Sequence, residues 1–219
     1  MATFVLIHGG GGSAWDWHLL VPELARRGHD VVVPELPIGD SSAGFAEFRE
    51  TVLAAIGGRT DLVVVGHSYG GFTAPLIADR LPLRLIVLLT PMIPEPGERP
   101  RDWWGNTGYR GAEGLSEVQQ FYNGVPAEIV AEAAGHSRDQ TSAEGDEPWP
   151  LDAWPDVPTK VLIGREDRFF PPDFQRRVAA DRLGVTPDEI DGGHSVALSH
   201  PGPLADRLTA YLPMLGFAA

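Results

Sequence analysis

The sequence predicts an α/β fold built on a mostly parallel sheet of about six strands. Short runs of Val, Ile and Leu recur along the chain, and longer stretches that read as helices separate them, which is the pattern of buried parallel strands joined by crossover helices. At 219 residues and 43% hydrophobic content, the chain is long enough for one domain with a substantial core.

The strands follow from the apolar runs, taken in order. Residues 3–8 hold Phe4-Val5-Leu6-Ile7, and residues 30–33, 62–65, 84–89 and 159–163 hold comparable runs. A weaker sixth strand is expected at 185–190. Helices are expected at 17–27, 45–56, 68–81, 173–183 and 203–212, alternating with the strands. Pro75 sits inside the third of these, where it removes one backbone donor and favours a kink. One interval breaks the rhythm. Between residues 91 and 157 a proline-rich exit leads into helical patches at 115–122 and 126–134 and then a polar stretch at 141–147. A long insertion of this kind in a compact domain reads as a lid. Its aromatic residues need an apolar surface to cover, so Trp103, Trp104, Phe121 and Tyr122 are expected to contact substrate. The chain is expected to be a single domain, 1–219, carrying that lid at about 91–157.

Composition excludes several classes. Asp and Glu outnumber Lys and Arg by 30 to 17, for a formal charge of -13, which is a poor match for nucleic acid or an anionic membrane. No cysteine occurs, so disulfides, thiolate nucleophiles and Cys-ligated metals are excluded. The N-terminal apolar run is too short for a membrane span and lacks the basic flank of a signal peptide. A cytoplasmic location fits. No metal site or cofactor is expected, and oligomeric state is not readable.

The chemistry is carried by a few motifs. Gly66-His67-Ser68-Tyr69-Gly70 matches G-x-S-x-G, in which a serine occupies a sharp strand-to-helix turn that exposes its hydroxyl. Nine serines in a glycine-rich chain give roughly 0.13 accidental matches, so the pattern alone decides little. Its context decides more, because Leu62-Val63-Val64-Val65 precedes it and a helical segment follows. Gly71 would let that helix approach the sheet closely.

A serine hydroxyl needs a base, and the base needs an orienting group. Of seven histidines, His194 lies on the loop after the last strand, in Asp191-Gly192-Gly193-His194-Ser195, where the order serine, acid, histidine requires it. His200 precedes Pro201 and reads as the start of the final helix, and His136 reads as a polar residue ending a lid helix. The turn after strand 159–163 carries two carboxylates, Glu166 and Asp167, either of which could orient a histidine. Attack on a carbonyl also needs backbone donors for the developing oxyanion. Tyr69, next to the nucleophile, should supply one. The loop His8-Gly9-Gly10-Gly11-Gly12 should supply the other, from Gly10, with Gly9 and Gly11 beside it at the substrate. A glycine loop after a strand could instead cradle phosphate, but no nucleotide-binding frame accompanies this one.

Taken together, Phe4-Val5-Leu6-Ile7-His8-Gly9, Gly66-His67-Ser68-Tyr69-Gly70-Gly71, Asp167-Arg168-Phe169 and Gly193-His194 resemble the α/β-hydrolase superfamily over essentially the whole chain. Gly11-Gly12-Ser13-Ala14-Trp15-Asp16-Trp17 and Asp173-Phe174-Gln175-Arg176 resemble its small-lid branch of methylesterases and hydroxynitrile lyases. The resemblance implies an α/β-hydrolase fold with a trimmed, mostly parallel sheet of about six strands, helices on both faces and a small helical lid. It also implies a cofactor-free serine esterase with Ser68, Asp167 and His194 as its triad, and it selects Asp167 over Glu166. Lyases of the branch use a threonine in the oxyanion loop and a lysine beside the catalytic histidine. Gly9 and Ser195 stand at those positions here, which favours a small carboxylic ester, apolar or aromatic, as substrate. C–C bond hydrolysis, lyase chemistry and noncatalytic, receptor-like ligand binding are the alternatives that the same pocket allows.

Overall fold

In the computed structural model, which describes residues 1–216, six strands form one sheet in the order β2-β1-β3-β4-β5-β6, with every neighbouring pair parallel. They are β1 (Thr3–Ile7), β2 (Asp30–Val32), β3 (Leu62–His67), β4 (Leu83–Leu89), β5 (Thr159–Gly164) and β6 (Asp188–Ile190). All six expected strands are present.

Side-chain alternation along these strands divides the core in two. Val5, Ile7, Val64, Ile86 and Leu88 face one side, where α2 (Phe45–Ile56) contributes Phe45, Phe48, Val52 and Ile56, and α7 (Pro172–Leu183) contributes Val178 and Ala179. Phe4, Leu6, Val63, Val65 and Val87 face the other, against Leu20 and Leu24 of α1 (Leu20–Arg26) and Leu204, Ala205 and Leu208 of α9 (Pro201–Thr209). Both faces are thus covered, which is why the strands read as continuous apolar runs.

The expected helix after β3 is shorter and broken. It is a single α-turn, α3 (Gly70–Thr73), followed by a 3-10 turn at Ala74–Ile77. Pro75 has no N–H to continue the α ladder. Between β4 and β5 lie α4 (Pro100–Asn106), α5 (Glu117–Phe121), α6 (Ala127–Ala133) and a 3-10 turn at Ala143–Asp146. Of these, α4 was not expected. Pro100 occupies its first turn, where a missing N–H is harmless. A short α8 (Val196–Ser199) precedes α9, and His200 is the N-cap of α9.

Strand order reverses between β1 and β3, because the chain leaves β1 toward β2 on one side and returns to β3 on the other. In open α/β sheets such a reversal leaves a crevice at the carboxyl ends of the strands. The loops after β1 and β3 both open there.

Candidate active site

Ser68 follows β3 directly, and its φ of +50° lies in the left-handed region that non-glycine residues avoid. Backbone hydrogen bonds fix this conformation. Ser68 N–H donates to Leu89 O (3.0 Å), and Ser68 O accepts from Gly71 (3.1 Å) and Met92 (2.9 Å). The neighbouring glycines are required for contact. A Cβ on Gly70 would lie 2.8 Å from the carbonyls of Ile7 and His8, and one on Gly71 would overlap the carbonyl oxygen of Met92. The close approach to the sheet that was expected of Gly71 is made instead by Gly70, over the end of β1, while Gly71 abuts the chain leaving β4.

His194 and Asp167 meet across the ends of β5 and β6. Nδ1–H of His194 donates to Asp167 Oδ2 at 2.9 Å, and both side chains are almost fully buried. Asp167 is held in turn by the amides of Phe169 and Phe170, each 2.9 Å from Oδ1, and by Gln175 Nε2, 3.1 Å from Oδ2. Glu166, the alternative acid, is exposed and accepts the Gly192 amide. With Nδ1 committed to Asp167, the other ring nitrogen of His194, Nε2, is buried without a protein partner among the described residues. The rings of Phe121, Phe169 and Phe170 present edges to His194 at 5.0–5.5 Å between centroids, restricting its rotation.

Two further histidines serve the scaffold. His67 Nε2–H donates to the His194 carbonyl at 3.0 Å, and burial pushes its pKa down to about 3. His8 is buried, donates from Nδ1 to Gly9 O (2.8 Å) and accepts the Leu36 amide at Nε2 (3.2 Å). Desolvation pulls its pKa down to about 4, so both rings are neutral at physiological pH.

The glycine loop and the serine turn touch. A Cβ on Gly9 would lie 3.2 Å from Ser68 Cβ, and one on Gly10 would lie 3.5 Å from Tyr69 Cβ. The segment between β4 and β5 braces this junction from outside. Arg138 N–H donates to Gly11 O at 2.8 Å, Gly11 N–H donates to Gln140 Oε1 at 3.2 Å, and Gln140 Nε2 donates to Glu144 Oε1 at 2.7 Å. Glu144 Oε1 also accepts the Tyr69 hydroxyl at 3.0 Å. Glu144 is completely buried. This bridge, and Gln175 behind Asp167, were not expected from the sequence, because each acts through a partner that is remote or unmarked by any motif.

A cavity of about 120 Å³ collects these groups. Ser68, His194, Gly9, Gly10, Gly11, Phe121 and Tyr122, all expected at the site, line it. Trp17, Asp16, Glu117, Ser137 and Ser195 line it as well. Trp103 and Trp104 do not. Trp103 is wholly buried, donates from Nε1 to Ile93 O at 2.9 Å and packs on Phe170 and Phe174, while Trp104 packs on Tyr109, Phe169 and Phe170. The apolar surface they cover is the α7 side of the core, a contact that composition cannot distinguish from a substrate wall.

The fold and this arrangement define a class of protein: an α/β scaffold whose cavity is lined by a serine on a strand-to-helix turn and by a histidine paired with a buried aspartate. Residues 4–207 match the model of the alpha/beta hydrolase family, and the chain belongs to that family. It is similar to methylesterase 9 of Arabidopsis thaliana, at 32% identity over 112 residues, 46% of this chain and 44% of that protein. The match therefore spans under half the length of that relative. It is also similar to the alpha-hydroxynitrile lyase of Arabidopsis thaliana, at 26% identity over 94% of this chain and 95% of that one. Among solved structures, a pyrethroid hydrolase from Sphingobium faniae JZ-2 superposes with a TM-score of 0.80 at 19% identity, covering 97% of each chain. The methylesterase and the hydroxynitrile lyase place the chain in their branch of the family, and the solved structure shares its fold. Among the described residues, no helix is long and apolar enough to cross a membrane.

Proposed function

We propose that this protein hydrolyses a small carboxylic ester, with Ser68 as nucleophile, His194 as base and Asp167 as the group that orients His194. The observation that carries this reading is the meeting, in one cavity, of Ser68 and a His194 whose Nδ1 is held by Asp167 and whose Nε2 is free.

In this scheme Nε2 of His194 takes the Ser68 proton as Oγ attacks the carbonyl carbon. The amides of Gly10 and Tyr69 stabilise the oxyanion. The tetrahedral species collapses, His194 gives its proton to the departing alcohol, and an acyl-serine remains. Water then attacks that ester with the same histidine as base, releasing the acid and restoring Ser68. Asp167 stabilises the imidazolium formed in each half. The cavity suits a substrate of a few carbon atoms against Trp17, Phe121 and Leu198. Ser195 lies beside His194 and brings no cation to the cavity, and Gly9 has no side chain, which supports hydrolysis over a lyase that must stabilise cyanide.

The test is turnover of p-nitrophenyl esters, acetate through octanoate, by the wild type and by Ser68→Ala. Activity that peaks at short chains in the wild type and disappears in the variant is expected. Equal activity in the two proteins, or none in either, would remove the ester reading.

A further inference from the structure

The ester mechanism uses Gly9, Gly10, Ser68 and His194, but the same cavity has a second wall formed by Gly12, Asp16, Glu117, Tyr122 and Ser137. Gly12 makes that wall possible, since a Cβ at this position would overlap Asp16 Oδ2. The Asp16 carboxylate accepts the Ser13 amide at 3.2 Å, closing the turn at Ala14–Trp17. It has no cation within ion-pairing distance among the described residues. The nearby guanidinium of Arg138 is taken up by Glu35 (2.5 Å), Gly12 O (3.1 Å) and Leu36 O (3.0 Å). Glu117, on α5, also lacks an ion pair among the described residues, and the Tyr122 hydroxyl is close enough to feel both carboxylates. A wall rich in acceptors, with no cation of the protein in the cavity lining, is complementary to a donor brought by a ligand. The buried Nε2 of His194, without a protein partner among the described residues, opens on the same cavity.

We propose that the Asp16 wall is a subsite for a hydrogen-bond donor, so that the preferred esters carry a hydroxyl or a protonated amine within a few atoms of the scissile carbonyl. This rests on the ester reading for its reaction, but not for its binding. Burial raises the Asp16 carboxyl to about 6, with Glu35 adding to the rise and the Ser13 amide, Arg138 and His136 opposing it. Above that pH it is a poorly hydrated carboxylate, the state that gains most from a donor.

The test separates binding from reaction by using three isosteric ligands that differ only in CH3, OH or NH3+ at one carbon. Binding is measured by titrating Ser68→Ala protein with the N-methyl amides of 3-methylbutanoic, 3-hydroxybutanoic and 3-aminobutanoic acids. The donor-bearing amides should bind about tenfold more tightly than the methyl isostere, and Asp16→Ala, added to Ser68→Ala, should bring the ratio to about one. Equal affinities in the Ser68→Ala protein, or a ratio that survives Asp16→Ala, would overturn the subsite. Should Asp16→Ala fail to fold for want of its turn cap, Asp16→Asn keeps an acceptor for the Ser13 amide. It should lose the preference for the amine, and retention of that preference would equally overturn the proposal. Turnover of the three corresponding methyl esters by the wild type is measured alongside. Absence of all turnover would overturn the ester reading alone, because the binding ratio stands or falls without it.

Discussion

Asp167 and Glu166 are neighbours in sequence with the same functional group, and burial separates their roles. Asp167 is enclosed, with His194, two backbone amides and Gln175 on its oxygens, whereas Glu166 is exposed and caps the Gly192 amide. A carboxylate that fixes a tautomer must be enclosed against the ring it orients, and of the two only Asp167 is. Asp167→Asn should lower kcat by about 10⁴, because an amide stabilises the wrong ring tautomer. Glu166→Gln, which keeps an acceptor for Gly192, should change kcat by less than about threefold. Both are read from p-nitrophenyl butyrate turnover, and comparable losses would remove Asp167 from its role. Nothing local in Gly164-Arg165-Glu166-Asp167 chooses between the carboxylates. Resemblance selected one, and the packing supplies the physical difference.

The insertion between β4 and β5, expected to be a lid, is the element whose meaning changed most between sequence and structure. Its aromatic residues suggested a substrate wall, yet only Phe121 and Tyr122 among the four expected contacts reach the cavity. Trp103 belongs to the core. Trp103→Ala should therefore destabilise the fold by about 3–5 kcal/mol in urea unfolding, a loss too large for a residue that only contacts substrate. The polar stretch at 141–147 carries Glu144, which with Gln140 just before it ties Gly11 to the Tyr69 hydroxyl. In the proposed mechanism, holding both sides of the oxyanion site is a transition-state contribution. Gln140→Ala and Glu144→Ala should each lower kcat about tenfold, with KM moving by less than about threefold in steady-state kinetics. A change confined to KM would show that the bridge merely shapes the pocket. The contacts to Gly11 and Tyr69 join residues more than 70 positions apart, and no periodicity announces them.

Across the molecule, buried neutral histidines make stability depend on acid. The pKa of His8 is about 4 and that of His67 about 3, below the ordinary value of 6.5. Between pH 6.5 and 4 the unfolded chain therefore binds protons that the native state refuses, so stability falls as pH falls through this window. For His8 the loss is on the order of 3 kcal/mol. Asp16 acts in the opposite sense, because its raised value of about 6 makes the native state the better proton binder between pH 3.8 and 6. Two histidines against one carboxyl leave a net loss. The urea midpoint should drop between pH 7 and pH 4.5, and a flat profile would show that the histidines are hydrated or paired in solution.

Hydrophobic runs by themselves determined the six strands and their burial on both faces, because continuous apolar sequence has few other places to go, and the glycine-flanked serine after the third run marked the serine turn. Chain order and the glycine loop also brought Ser68, His194 and Gly9 to Gly11 to notice. The tertiary structure decided which carboxylate is enclosed, which aromatics line the cavity rather than fill the core, and that Asp16 and the 140–144 bridge belong to the site. Each of those outcomes depends on contacts between distant segments, and a contact has an energy only once the fold has brought both partners together.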